Sequence, residues 1–462
     1  MSTIALARWA ARTICRLFYR VDQAGAPPAA GAVLLVANHP NALLDPAVVW
    51  ATAGRDVRFL AKSTLFDGPL QPILAATRAI PVYRRGDEGV DTARNAEMFA
   101  AVGDALASGD AVCIFPEGLS HSAGRLVALR TGAARIALAA EASGTRVDLV
   151  AVGLNFERKT RFRSRVTVAF GAPFSARDLA ADGPTPDAVR ALTDRIAAHM
   201  RTMLVEADPG ADASLVDRVA RLYASARGRA STTEEELLRR RAIAQGIEQL
   251  RASDRQRYDE ILLRIRRYDA RLRRFGVRDG HLDMNPSAGE AARFALRETA
   301  LALVLVPVAL AGLAIFAVPY AGTSLGAAAA TRQEDVTASA KVFAGAGAYV
   351  AWCGVLIAGL AWQWGATAAW IAAAVLPLLA VAALFALERE SAVLDTIGGW
   401  WTVRRARSGT QALRRRRSEL ADVLDDAYAF VAQLNAAAPV ATSQASAPMQ
   451  SGPPSGSARS SQ

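Results

Sequence analysis

The chain has 462 residues, 52% of them hydrophobic, and carries 54 Lys and Arg against 43 Asp and Glu, a formal charge of +11. That length allows two or three compact units, and the basic excess suits an anionic membrane surface, an anionic substrate or nucleic acid. The sequence has no zinc-finger spacing or RNA-binding aromatic motif, and the three scattered cysteines, Cys15, Cys113 and Cys353, exclude a disulfide framework and a zinc site; a reducing cytosolic face follows.

Residues 1–26 read as a basic amphipathic helix on a membrane surface. Arg8, Arg12, Arg16 and Arg20 recur every fourth residue, which interrupts any signal-peptide apolar core and gathers the cations on one face. Such a helix lies in the headgroup layer of an anionic leaflet or packs its apolar side on the next domain, and both can hold together. Residues 27–183 alternate short apolar strands with helical stretches, the pattern of an α/β sheet. The strands are expected in "GAVLLVANH" (31–39), "DVRFLAK" (56–62), "AIPVYRR" (79–85), "AVCIFPEG" (111–118), "VDLVAVGLNF" (147–156) and "RVTVAFGAPF" (165–174).

From 184 to 292 the texture changes to charged helices over 186–206, 212–226, 233–251 and 254–275. Ser231, Thr232 and Thr233 ahead of Glu234, Glu235 and Glu236 form a capping-box start. Residues 293–390 read as a transmembrane domain of about three apolar segments, 299–319, 342–361 and 367–386; a bilayer needs about 20 such residues. Six of the eight tryptophans fall between 352 and 401, where interfacial aromatics belong. The Arg-rich stretches before 299 and after 386 both want the cytoplasmic side, which three full spans would not allow; with Pro307 inside it, 299–319 is a candidate for a re-entrant segment. Residues 391–436, with Arg404, Arg405, Arg407 and Arg414–Arg417, read as a basic amphipathic helix, and 437–462, rich in Ala, Ser, Pro and Gly, as a disordered tail.

The chemistry concentrates in "VANHPNALLDP", where Asn38, His39 and Asp45 follow an apolar strand. An alcohol is a poor nucleophile until a base takes its proton, and a neutral imidazole oriented by a carboxylate suits that task. Five residues separate His39 from Asp45, so the two can face each other across a strand–turn–helix junction; a structural His and Asp is the plain alternative. Other strand ends deliver Lys62, Arg84 with Arg85, and Glu117, Gly118, Ser120 and His121, and cations with exposed amides at one sheet edge make an anion site. His121 either supports this site or stands beside it. His199 is expected on a helix, packed or at the surface, and His281 in a solvent-exposed loop. Nothing in the sequence has the spacing of a metal cluster or of a nucleotide-binding loop.

In order, "NHPNALLDP", "RAIPVYRR", "FPEG", "LRTGAARIAL" and "VGLNF" resemble the motifs of the glycerolipid (phospholipid/glycerol) acyltransferase family, over roughly residues 30–175. The five-residue spacing resembles the glycerol-3-phosphate and dihydroxyacetone-phosphate acyltransferase branch, which tends to carry C-terminal membrane helices. The resemblance implies a PlsC-like α/β domain with a mixed sheet flanked by helices, followed by a helical region and transmembrane helices. It implies His39 as general base with Asp45 as partner, Arg84 on the acceptor phosphate, and Glu117 and Gly118 at the acceptor. Asn38, Lys62, Ser120 and Arg130 complete the substrate-binding set; Lys62 or Arg130 would replace a basic residue that the family often has where Ser120 and His121 stand. Ala151 occupies a position where the family often has proline. The expected reaction moves a fatty acyl group from acyl-CoA or acyl-carrier protein, as co-substrate, to glycerol 3-phosphate or 1-acylglycerol 3-phosphate, with no cofactor. Another lysophospholipid acceptor, or an idle lipid-binding scaffold, is the alternative. The expected partners are the two substrates and anionic membrane lipids, not nucleic acid, and the expected location is a membrane with the catalytic domain on its cytoplasmic side, as at a bacterial inner membrane.

Overall fold

The computed structural model describes residues 3–68, 71–83, 94–159, 161–208, 211–228, 232–284, 287–330, 334–405 and 407–437. Arg84 and Arg85, and the tail from residue 438, lie outside the described residues.

Among the described residues the sheet has seven strands: β1 (Tyr19–Ala24), β2 (Ala32–Ala37), β3 (Val57–Lys62), β4 (Ile80–Val82), β5 (Ala111–Ile114), β6 (Val147–Phe156) and β7 (Ser164–Phe170), in the order β1-β7-β6-β2-β5-β3-β4. Only the β6–β7 pair is antiparallel, so the sheet is mixed. β2 lies at its centre with all six residues buried, because both of its faces are covered by helices. Val33, Leu35, Cys113, Val150 and Val152 pack towards α1 (Thr3–Phe18) and α2 (Leu44–Thr52). Leu34, Val36, Val112, Leu149 and Ala151 pack on the other side towards α4 (Asn95–Ala107), α5 (Gly132–Ala142) and α6 (Pro186–Met203); a short α3 (Gln71–Ala76) precedes β4. The parallel strands β2, β3, β4, β5 and β6 all end at one edge of the sheet, the edge where such folds gather binding groups.

The helix expected over the first 26 residues stops at Phe18, and Tyr19–Ala24 instead pairs with β7, Tyr19 against Ser164 through Ala24 against Ala169. The partner strand lies some 145 residues away in sequence, and period alone does not separate a short strand from the end of an amphipathic helix. The helix does pack its apolar side on the domain: Cys15 is fully buried and Arg8 pairs with Asp56 at 3.1 Å, while Trp9, Arg12 and Arg16 face outward.

Of the four charged middle helices α6 covers the sheet, whereas α7 (Ala211–Arg227), α8 (Thr233–Ser253) and α9 (Arg255–Phe275) pack together as a bundle. Thr185, Thr232 and Asp254 cap three of these helices by accepting from Ala188, Glu235 and Arg257 backbone amides, and Gly276 ends α9 at φ 65°. His281, expected in solvent, is 5% exposed: its ring lies against Gly399, where a Cβ would collide with it. The sequence around it gives no sign of this, since the covering segment lies more than a hundred residues downstream.

Two long apolar helices follow, α10 (Ala288–Ala330) and α11 (Glu334–Arg405). They contain stretches long and apolar enough to cross a membrane, Ala292–Pro319 and Gly347–Ala386, both largely exposed. Among the described residues two such stretches stand where three segments were expected, although Gly365, at φ 78° and ψ −175°, breaks the second one at the "WQWGA" turn. Phe316 packs with Ala372 and Leu376, and Trp352 donates to the Ile315 carbonyl at 2.8 Å. Arg389, just past the second stretch, binds Glu298, near the start of the first, at 2.5 Å. The last helix, α12 (Arg407–Ala437), returns to the bundle: Arg417 pairs with Asp283 at 2.6 Å, and Leu413, Leu420 and Ala427 join the core formed by α7 and α9.

Candidate active site

β2 ends at Ala37, and the chain turns through residues 38–43 before α2 begins. Ala42 closes the turn at φ 42°, a left-handed conformation that a Cβ makes costly and that non-glycine residues hold only when the surroundings impose it. The Ser120 hydroxyl helps impose it by accepting the Ala42 amide at 3.0 Å. Asp45 sits in the first turn of α2, near the positive end of the helix dipole. Its Oδ2 lies 2.8 Å from His39 Nδ1, and the imidazole stacks on Phe115 with centroids 4.2 Å apart. With Asp45 ionised, Nδ1–H donates to it, and Nε2 is the free lone pair. Among the described residues no hydrogen bond engages Nε2, and the His39 side chain is 16% exposed.

Asp45 is wholly buried. Burial raises its carboxyl above the usual carboxylate range; the His39 hydrogen bond and charge, the Asn41 amide and the Lys159 ammonium each pull it back, but only in part. Oδ2 also accepts the Asn41 amide at 2.7 Å, and Oδ1 has no hydrogen-bond partner among the described residues.

Glu117 follows β5 and is 5% exposed. One carboxylate oxygen accepts the His39 amide at 2.8 Å; the other accepts the Val127 amide at 3.2 Å and binds the His121 ring. His121 in turn donates its backbone N–H to the His39 carbonyl at 3.1 Å. Of its two readings, His121 therefore takes the supporting one. Asn38 is also turned to the frame, donating to the Leu154 carbonyl at 3.2 Å and accepting the Leu154 amide at 2.7 Å. His199 stacks on Phe174 at 3.9 Å, away from this cluster.

Gly118 stands at φ 79°, and a Cβ there would lie 3.3 Å from Arg130 Cγ. Arg130 also donates its amide to the Pro116 carbonyl at 2.7 Å, which brings its exposed side chain beside the Glu117–Gly118 turn. Gly118→Ala is expected to lower stability by about 1–2 kcal/mol from the left-handed backbone alone and to displace Arg130. Chemical denaturation beside acceptor KM measures both, and an unchanged pair of values would contradict the tight fit. Lys62 closes β3, in register with Val82 of β4, just ahead of the segment that holds Arg84. The structure thus brings His39, Asp45, Asn38, Glu117, Gly118, Ser120 and Arg130 into two touching loops, with Lys62 at the end of a strand along the same edge.

Four functional candidates escaped the sequence reading: Tyr19, Asn41, Phe115 and Lys159. Lys159 Nζ binds the Pro40 carbonyl at 3.2 Å and the Ser122 hydroxyl, adding a cation beside the His39 loop. Its position three residues beyond β6 was a usable signal, since the other parallel strands also deliver polar residues there. A cavity of about 340 Å³ adjoins the loops, lined by Asn38, Pro40, His121, Ser122, Lys159 and, from α8, Arg240, but by neither His39 nor Asp45. Among the described residues no group of three or more His, Cys, Asp or Glu is arranged to hold a metal ion.

Residues 20–154 match the Acyltransferase family. Glycerol-3-phosphate O-acyltransferase 1 of Saccharomyces cerevisiae is 32% identical over 133 residues, 27% of this chain and 18% of that protein. Glycerol-3-phosphate O-acyltransferase 2 of the same yeast is 38% identical over 81 residues, 17% of this chain and 11% of that protein. The chain's matches thus span less than a fifth of the length of either relative. Among solved structures, the 1-acyl-sn-glycerophosphate acyltransferase PlsC of Thermotoga maritima aligns with a TM-score of 0.31 and 16% identity, over 43% of this chain and 78% of that one. Residues 20–154, which carry the His39, Asp45 and Glu117 loops, are thus similar to the acyltransferase domains of the Acyltransferase family.

Proposed function

We propose that the chain is a glycerolipid O-acyltransferase that transfers a fatty acyl group from acyl-CoA or acyl-carrier protein to glycerol 3-phosphate, or to 1-acylglycerol 3-phosphate, in phospholipid biosynthesis. The observation that carries this reading is the His39 imidazole, held at Nδ1 by a buried carboxylate and unengaged at Nε2 among the described residues. In the reaction the acceptor hydroxyl gives its proton to Nε2 as its oxygen attacks the thioester carbonyl. Asp45 stabilises the imidazolium that forms. Collapse of the tetrahedral intermediate breaks the carbon–sulfur bond, and Nε2 returns the proton to the departing thiolate. Lys62, Arg84 and Arg130, joined by Lys159, are the cations we assign to the acceptor phosphate, with Asn38, Glu117, Gly118 and Ser120 framing its site. The test offers detergent-purified protein labelled acyl-CoA or acyl-carrier protein with glycerol 3-phosphate, dihydroxyacetone phosphate and lysophosphatidate as separate acceptors. Acylation of a glycerophosphate acceptor supports the reading, and no product from any of them overturns it.

The same reading puts the enzyme on a membrane. Two long apolar helices that are mostly exposed suit lipid better than water. The Glu298–Arg389 pair and the return of α12 to the bundle bring both ends of the apolar block together. We therefore read the block as crossing an even number of times, which leaves the Arg-rich flanks on one side, the cytoplasmic side of a bacterial inner membrane. The outward Trp9, Arg12 and Arg16 of α1 would rest on anionic headgroups, each cation there contributing about 1 kcal/mol. Maleimide labelling of Ser253→Cys and Ser418→Cys in sealed vesicles is expected to reach both from the cytoplasmic side; labelling from opposite sides would overturn this topology.

A further inference from the structure

Asp45 is held by more than His39. Its Oδ2 also accepts the Asn41 amide, and Asn41, itself wholly buried, donates its side-chain amide to the Tyr19 hydroxyl at 2.9 Å. Tyr19, the fully buried first residue of β1, donates its hydroxyl hydrogen to the Lys159 carbonyl. One hydroxyl thus accepts from the catalytic loop and donates to the turn between β6 and β7. That turn is anchored in both directions. Lys159 Nζ reaches the Pro40 carbonyl at 3.2 Å, while Arg163 donates its amide to the Phe18 carbonyl at 2.6 Å and its guanidinium to the Arg16 carbonyl at 2.8 Å. Arg163 stands at φ 59°, a non-glycine residue in the left-handed region like Ala42.

Packing alone does not call for the hydroxyl. The Tyr19 ring meets Phe18 and Phe156 edge to face at 4.8 and 5.2 Å, contacts that a phenylalanine would make equally well. Burying a hydroxyl among aromatic rings is costly unless it is hydrogen-bonded, and here the bonds it makes lead to Asp45.

We propose that Tyr19 is a positioning residue for the His39–Asp45 pair: its hydroxyl holds Asn41 so that the Asn41 backbone N–H stays on Asp45 Oδ2 and fixes the carboxylate under the imidazole. This rests on the acyl-transfer reading for its kinetic arm but not for its spectroscopic one. The test uses the full-length protein in detergent as wild type, Tyr19→Phe, Asp45→Ala and the double variant. Acyl-transfer kinetics are measured together with the ¹⁵N-histidine NMR spectrum at a pH where the ring is neutral. With 4 histidines in the chain, the His39 signals are assigned by their loss in His39→Ala.

Tyr19→Phe is expected to lower kcat about tenfold, as small misplacements of a catalytic group do, with acceptor KM within about twofold of wild type. The His39 ring is expected to pass from the single Nδ1–H tautomer to a mixture. Adding Tyr19→Phe to Asp45→Ala is expected to cost nothing further, because the route runs through Asp45. A wild-type kcat, an unchanged tautomer, or losses that multiply in the double variant would each overturn the proposal. If the wild type acylates no acceptor, the acyl-transfer reading fails, and the tautomer comparison still decides for or against Tyr19.

Discussion

His39→Ala is expected to lower kcat by about a thousandfold, within the range that a positioned general base contributes. The acceptor hydroxyl would then have to lose its proton to solvent, and the departing thiolate would leave without a donor. Acceptor KM should move little, since the assigned phosphate contacts come from Lys62, Arg84, Arg130 and Lys159, not from the imidazole. Fold should survive as well: the ring is half-buried against Phe115, and the loop is held by backbone bonds from Glu117 and His121 that alanine keeps. Single-turnover transfer of a labelled acyl group, beside a thermal melt, reads both. A variant that folds and matches the wild-type rate on every acceptor would remove His39 from the mechanism.

Changing Asp45 should separate two parts of its role. Asp45→Ala removes both the charge that stabilises the imidazolium and the acceptor that selects the tautomer, and a loss approaching that of His39→Ala is expected. Asp45→Asn should cost less, about a hundredfold. Both the His39 Nδ1–H and the Asn41 amide address the same oxygen, Oδ2. An asparagine with its carbonyl oxygen there satisfies both donors and keeps the tautomer, and only the charge is lost. Its amide nitrogen then takes the place of Oδ1, which has no partner among the described residues, so it is buried unsatisfied. Equal losses for the two variants would show that the charge, and not the tautomer, dominates.

The raised Asp45 carboxyl also fixes a pH dependence. Burial is its largest cause, so the folded protein holds this proton to a higher pH than the unfolded chain does. This group's contribution to stability is therefore full below the ordinary carboxylate pKa and declines as pH rises through the folded value. Activity runs in the opposite sense, because the imidazole needs the ionised partner; it should fall on the acid side at a pH above the ordinary carboxylate range. A stability–pH curve of Asp45→Asn that lacks the decline, beside the wild-type curve, would identify the group.

By itself the sequence determined the parts whose signals are local. Six of the seven described strands were legible because an apolar β-branched run bounded by turn residues suits a buried strand, and the four charged middle helices because capping residues and charged faces lie within a few residues of one another. The His39–Asp45 pair was legible for the same reason, with both partners inside one strand–turn–helix junction. Tertiary structure decided what depends on distant segments. β1 exists as a strand because β7 pairs with it, His281 is buried because α11 covers it, and Glu117 reaches His39 because β5 lies beside β2. The Tyr19–Asn41–Asp45 chain joins residues that sequence separation hides, and the meeting of Glu298 with Arg389 joins two helices whose pairing no local signal encodes. Hydrophobic period and capping act over a few residues, whereas strand pairing, buried hydrogen bonds and ion pairs form only once chain folding has brought their partners within about 3 Å.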